Sequence, residues 1–263
     1  MNVNPMMLVA GVVDGAMAAA FGAIAIRHWR SQGCSVMEGL GLRPNPHAVV
    51  DLLIGLGIAA IAMVGIFGCE LALGAIAYGP MVAAGKPAIL KTTVIMVGSA
   101  CAEELINRGL LLSGLTIALG GRAKTATVVA AVLFGLFHLA NPGAGALSVC
   151  GNTLGGLIYG MAFVRSGRLW LPLGLHFAWN DVQGPVLGFP VSGLSAGGML
   201  QIHDLGPAGL TGGAYGPEAG LVGILFRFVV LAMLLAWTAF GSHQGARQDF
   251  VGRNTVNRAV YIR

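Results

Sequence analysis

Charge is what this 263-residue chain has least of: 10% of its residues are Asp, Glu, Lys or Arg, against about 25% in an ordinary soluble domain. With 56% hydrophobic residues and a mean hydropathy of +0.80, that scarcity excludes a soluble globular domain and points to a polytopic membrane protein. Cysteine is also sparse. Cys34, Cys69, Cys101 and Cys150 form no C-x-x-C pair, which argues against a disulfide framework and a zinc knuckle. The start, M-N-V-N-P, lacks the positive region of a signal peptide, so the first apolar segment is expected to be retained. The net charge of +5 does not signal nucleic acid, because the fifteen basic residues gather in no solvated domain. H-E-x-x-H, H-x-x-E-H and G-x-S-x-G are all missing. The run G-N-T-L-G-G-L-I-Y-G has no P-loop lysine and reads as helix packing; Asn152, polar at membrane depth, is a candidate to line a cavity, with hydrogen-bonded packing the favoured reading.

What is abundant is long apolar sequence and glycine, 42 residues of it, the residue that lets membrane helices approach closely and leaves room for a cavity. A bilayer core of about 30 Å needs about 20 helical residues. The chain reads as an all-α, polytopic transmembrane bundle in one integral-membrane domain, 1–263. Its seven spans fall near 5–26, 48–79, 92–118, 126–140, 146–164, 169–188 and 219–240, or eight if the over-long second breaks near Gly65 and Gly68. Asp51 and Glu70 of that second span have no evident partner. With the N-terminus outside, eleven Lys and Arg residues fall on the cytoplasmic side and only Lys86 and Lys91 opposite, with Arg108 and Arg227 inside spans. This places the C-terminus and a basic tail, 241–263, in the cytoplasm. The Gly- and Pro-rich stretch from Gly188 to Glu218 becomes an outer loop that leaves His203 and Asp204 solvated. The compact chain is expected in a bacterial inner membrane.

Against this background C-A-E-E-L-I-N-R-G-L-L-L-S-G, residues 101–114, is an anomaly. Each ionisable group at membrane depth costs about 2.5–3.5 kcal/mol on insertion scales. Glu104 and Arg108 are four apart with the acid first, the favourable order for pairing on one helix face. Glu103 is rotated about 100° away and shares its face with Asn107, which leaves it free to act as general base on a water. Two further clusters follow. In F-G-L-F-H-L-A-N-P, Phe134 and His138 share a face, and the imidazole is a second hand on the same water. In H-F-A-W-N-D, His176 and Asn180 aim two donors at one spot, as an oxyanion hole requires; Asp181 falls near the helix end, solvated. Helical rise puts Glu103 and His176 about 12 Å from the cytoplasmic edge and His138 about 21 Å in. Three readings stay open: hydrolysis at this cluster, a buried network that merely holds helices together in a non-catalytic immunity or scaffold protein, and a zinc site made by Glu103, His138 and His176.

The order E-E-x-x-x-R (Glu103, Glu104, Arg108), F-x-x-x-H (Phe134, His138) and H-x-x-x-N (His176, Asn180) resembles the CPBP intramembrane proteases. That family includes the type II CAAX prenyl endopeptidases and bacterial relatives linked to bacteriocin processing or self-immunity. The resemblance covers about residues 90–185. It implies a glutamic endopeptidase needing no cofactor and no metal, in which Glu103 and His138 activate water, His176 and Asn180 hold the oxyanion, and Glu104 with Arg108 support the site. Its partners would be membrane lipid and a peptide or protein substrate, lipidated in the CAAX case, entering between helices from the cytoplasmic side. Asn107 departs from the pattern, since many members carry an aromatic there; it is placed to hydrogen-bond Glu103.

Overall fold

Apolar runs give the chain its helices, and glycine and proline end them. The computed structural model describes residues 5–31, 35–44, 46–79, 86–195 and 197–239. In chain order the helices are α1 (Pro5–Ser31), α2 (Val36–Gly39), α3 (Pro46–Ala72), α4 (Lys86–Glu104), α5 (Ser113–Ala118), α6 (Ala123–Phe137), α7 (Ala146–Ser166), α8 (Trp170–Asp181), α9 (Ala208–Thr211) and α10 (Leu221–Ala239). A π-helical segment, Leu105–Leu112, joins α4 to α5, so that residues 86–118 are helical throughout. Another, Val182–Val186, extends α8 around Pro185, whose missing N–H cannot serve an α-helical ladder.

The fold is mostly helical rather than all-α. Strand β1 (Ile76–Gly79) pairs antiparallel with β4 (Gln201–Asp204), and β2 (Pro190–Val191) with β3 (Leu194–Ser195). Among the described residues four helices are long and apolar enough to cross a membrane: Pro46–Ala72, Ala123–Ala140, Ala146–Ser166 and Leu221–Ala239. Their outward faces suit lipid, with Val49, Leu53, Ile61 and Val64 exposed on α3 and Leu225, Phe228 and Val229 on α10. The other three segments read as spans are not among these four: α1, 27 residues long, shows an apolar stretch from Gly15 to Ile24 among the described residues, residues 86–118 carry five charged side chains, and α8 has twelve residues. The second span is also shorter than expected. It ends at Ala72, passes Gly65 and Gly68 unbroken, and gives way to β1; Gly65 is where the Phe226 ring packs against the helix.

The centre of the bundle is the crossing of α3 and α8, where the two backbones touch. A Cβ on Gly174 would lie 2.4 Å from the carbonyl oxygen of Leu52, and one on Gly55 2.5 Å from that of Leu171. Ile58, Met63, Ile66, Leu171, Leu175, Trp179 and Leu234 pack around this contact. Arg168, just before α8, donates from Nε to Asp51 Oδ2 at 2.7 Å, which gives buried Asp51 its partner. Glu70, at the far end of α3, is fully buried with no hydrogen bond to either carboxyl oxygen.

Residues 188–218 are more ordered than a loop, built on strand pairing and buried polar contacts. Ser192 and Gly193, at φ +48° and +82°, make the two-residue turn of the β2–β3 hairpin, a conformation that suits the twist of short hairpins. Glu218, buried, accepts from Ser192 N (2.8 Å), Ser192 Oγ (3.1 Å) and Gln183 Nε2 (3.0 Å), and Asn141 Nδ2 donates to the Ser192 carbonyl at 3.1 Å. The polar groups thus satisfy one another instead of water. His203 and Asp204, in β4, are exposed. Asp181 is not a solvated helix end either: it is half-buried and accepts a hydrogen bond from Thr93. The basic tail 241–263 and Cys34 lie outside the described residues.

Replacing glycine by alanine inside a helix ordinarily stabilises it, so the α3–α8 contact reverses the usual sign. Gly174→Ala is expected to lower the thermal midpoint of the purified protein, at a cost of about 1–3 kcal/mol for overpacking. Gly57→Ala, where a Cβ meets nothing within 4 Å, should leave the midpoint unchanged or raise it.

Candidate active site

The polar residues of the three motifs reach one place from α4, α6 and α8. Glu103 and Glu104 are the last residues of α4, directly before the π-helical segment. There the wider turn leaves backbone groups out of register with an α-helical ladder, and Asn107 Nδ2 donates to the Glu103 carbonyl at 2.9 Å. Asn107 therefore does hydrogen-bond Glu103, through the backbone carbonyl; its own Oδ1 is buried without a partner.

Glu104 is the hub. Its Oε1 accepts from Arg108 Nη1 at 2.9 Å and lies 2.8 Å from His176 Nδ1. All three side chains are buried, at 1%, 2% and 4% exposure. Arg108 also donates from Nη2 to the Gly156 carbonyl at 3.3 Å, and its guanidinium lies 4.6 Å from the Phe134 ring centroid and 5.2 Å from that of Tyr159. A cation against two aromatic faces replaces part of the solvation it has lost. Because the Glu104 carboxylate can only accept, Nδ1 of His176 carries a proton, which turns Nε2 toward Glu103 Oε2, 4.0 Å away. The imidazole is held flat against Tyr159, the ring centroids 4.8 Å apart and 16° from parallel.

Glu103 differs from its neighbour in each of these respects. It is partly exposed, and its only side-chain hydrogen bond among those described comes from Ser99 Oγ to Oε1 at 3.3 Å. His138 sits where α6 stops. The residue before a proline is pushed out of helical conformation, and Asn141, before Pro142, is extended at ψ 150°. His138 Nδ1 donates to the Phe134 carbonyl at 2.7 Å, so Nε2 is the free nitrogen. Glu103, Asn107, Phe134, His138, His176 and Asn180 all line one cavity of about 680 Å³. Val9, Val13 and Met17 of α1 supply part of its apolar wall. Glu104 and Arg108 stand behind the wall and do not line it.

Several residues at the site escaped the sequence reading. Tyr159 lies in the glycine-rich run of α7, where the sequence reading singled out Asn152 but not the tyrosine. Asn152 does hydrogen-bond, to the Tyr215 hydroxyl at 2.8 Å, but it also lines the cavity. Burial, reinforced by the nearby Glu218 charge, pushes the Tyr215 phenol up to about 12, so it stays neutral. Arg227 and Glu218 line the cavity from outside the motif region. For Arg227 the signal was present, a charge inside an apolar span; for Glu218 there was none. Among the described residues no group of three His, Cys, Asp or Glu side chains is arranged to hold a metal ion.

The two glutamates should separate in a stability measurement. Glu104→Ala leaves Arg108 as an uncompensated buried charge, and thermal unfolding in detergent is expected to show a loss of about 3–5 kcal/mol. Glu103→Gln, at a partly exposed position with one weak contact, should stay within about 1 kcal/mol of wild type.

Compared with known families, residues 85–182 match the model described as Rce1-like, type II CAAX prenyl endopeptidase Rce1-like. The match takes in all three motifs and leaves out α1, α3 and α10. Comparison with curated proteins and with solved structures found no match. The stretch that carries Glu103 to Asn180 is thus similar to the Rce1-like, type II CAAX prenyl endopeptidase family, in line with the CPBP resemblance of the motifs.

Proposed function

We propose that the chain is a membrane endopeptidase that hydrolyses a peptide bond of a membrane-associated peptide with water activated by Glu103 and His138. Glu103 takes the proton as the water oxygen attacks the carbonyl carbon, and His138 Nε2, its other nitrogen committed to the Phe134 carbonyl, accepts from the same water. The oxyanion receives hydrogen bonds from Asn180 Nδ2 and His176 Nε2–H. Since His176 Nδ1–H is committed to Glu104, donation from Nε2 calls for the doubly protonated ring. As the C–N bond breaks, Glu103 returns its proton to the leaving amine. Neither step calls on a metal ion.

The observation that carries this reading is the convergence of Glu103, His138, His176 and Asn180 on one cavity with His176 Nε2 facing the Glu103 carboxylate at 4.0 Å. The family match supports a CAAX-type peptide as the first substrate to try. The charge pattern of the loops supports an orientation with the C-terminus in the cytoplasm.

A farnesylated Cys-aliphatic-aliphatic-Ala peptide incubated with the full chain in lipid nanodiscs tests the proposal. Glu103→Gln is expected to lower turnover by about 10²–10⁴-fold, and Asn180→Ala by about 10²–10³-fold, with folding retained. Cleavage by well-folded Glu103→Gln protein at the wild-type rate would overturn the mechanism. Chelators should leave turnover unchanged; loss of activity together with stoichiometric zinc would favour a zinc protease instead. In cells, membrane proteomics of wild type against Glu103→Gln should show the physiological peptide accumulating uncleaved.

A further inference from the structure

Helix α10 brings into the cavity a charge that hydrolysis does not use. Arg227 is 3% exposed and lines the cavity. It forms no hydrogen bond or ion pair among the described residues, and its Nε is buried without an acceptor. A buried guanidinium is ordinarily paired, because desolvation leaves an unpaired charge strongly unfavourable.

The position is nonetheless built to hold it. The Trp179 ring centroid lies 4.4 Å from the guanidinium carbon. On α7, a Cβ at Gly155 would come within 2.0 Å of Arg227 Nη1, so only glycine leaves the space. Glu218 shares the cavity wall, but its oxygens are taken up by Ser192 and Gln183 and it makes no ion pair with Arg227. Glu104 is committed to Arg108 and His176, and Glu103 accepts from Ser99. The arginine is thus held in place with its charge unanswered by any carboxylate of the described protein.

We propose that Arg227 is a binding residue for a carboxylate carried by the peptide ligand, engaged through the guanidinium fork. The carboxylate comes either from the peptide's C-terminus or from an Asp or Glu side chain. The site lies beside the hydrolytic centre. Trp179 is three positions past His176 on α8, and Gly155 is four before Tyr159, whose ring stacks on His176. Along both helices the seat is about one turn, about 5.4 Å, from the imidazole. A ligand anchored there is positioned along its length before any chemistry occurs. The inference rests on the reading of the cavity as a peptide site, and it assigns a residue outside the family-matched segment.

Binding tests it without relying on turnover. Three fluorescent farnesylated peptides of one sequence, ending in a free carboxylate, in an amide, or in an amide with an aspartate one position earlier, are titrated against the full chain carrying Glu103→Gln in nanodiscs. The carboxylate-terminated peptide is expected to bind about tenfold tighter than the amide, and Arg227→Gln to erase that ratio while Arg227→Lys keeps part of it. Tight binding of the aspartate peptide in place of the free acid would support the site with a side chain as the source. Equal binding of all three, binding of none, or a ratio that survives Arg227→Gln overturns the proposal. If Arg227→Gln fails to fold, the comparison of peptides on the arginine-bearing chain decides alone. Turnover of these peptides by the Glu103→Gln chain would count against the protease mechanism and leave the binding ratio to judge Arg227.

Discussion

Glu104 accepts hydrogen bonds from two directions at once, from Arg108 one turn along its own helix and from His176 on α8. At the surface such bonds would contribute little. Buried at 1% exposure, the carboxylate has no water to return to, so the loss of either donor leaves charge stranded. That constraint runs outward through the site. Arg108 needs the Gly156 carbonyl and the Phe134 and Tyr159 faces to complete its surroundings, which sets α6 and α7 against the start of the π-helical segment. His176, with Nδ1 committed, can offer only Nε2 to the cavity. Glu103, partly exposed and loosely held, keeps its carboxylate at the cavity because the residue next to it is the one engaged by Arg108 and His176.

Most of this logic could be read from spacing. The four-residue interval between Glu104 and Arg108 implied a pair, the rotation of Glu103 away from it implied a free carboxylate, and both expectations describe the geometry found. What spacing could not convey was contact between helices. That Glu104 also holds His176 depends on how α4 meets α8, and nothing in either motif encodes the other. The π-helical turn was equally hidden, since L-I-N-R-G-L-L-L contains no proline to announce it. Within it Asn107 meets Glu103 through the backbone carbonyl. Hydropathy marked the apolar stretches well but overextended the second, because I-A-Y-G continues the apolar run without a charge and its pairing is with a partner more than a hundred residues away.

The glycine-rich run of α7 shows how one composition can hide different duties. Gly156 gives its carbonyl to Arg108 and packs against α6, Gly155 leaves space for Arg227, and Tyr159 supports His176. To a sequence reader these are small residues in a membrane helix. In three dimensions they separate two buried guanidinium groups, one neutralised by Glu104 and one facing the cavity. The residues between α8 and α10 complete the wall, stitched through Glu218 to a hairpin turn that the sequence presented as loop.

The pairing of β1 with β4 joins residues 76–79 to 201–204, and the family-matched segment, 85–182, lies wholly between these two strands. The ribbon is therefore a clasp around the helices that carry the three motifs. A growing chain cannot close it until Asp204 has been made, by which time every motif residue has already been synthesised. Closing so long a loop carries an entropic cost that earlier helix packing must offset. The strand pair thus closes only on a chain in which every motif residue is already present.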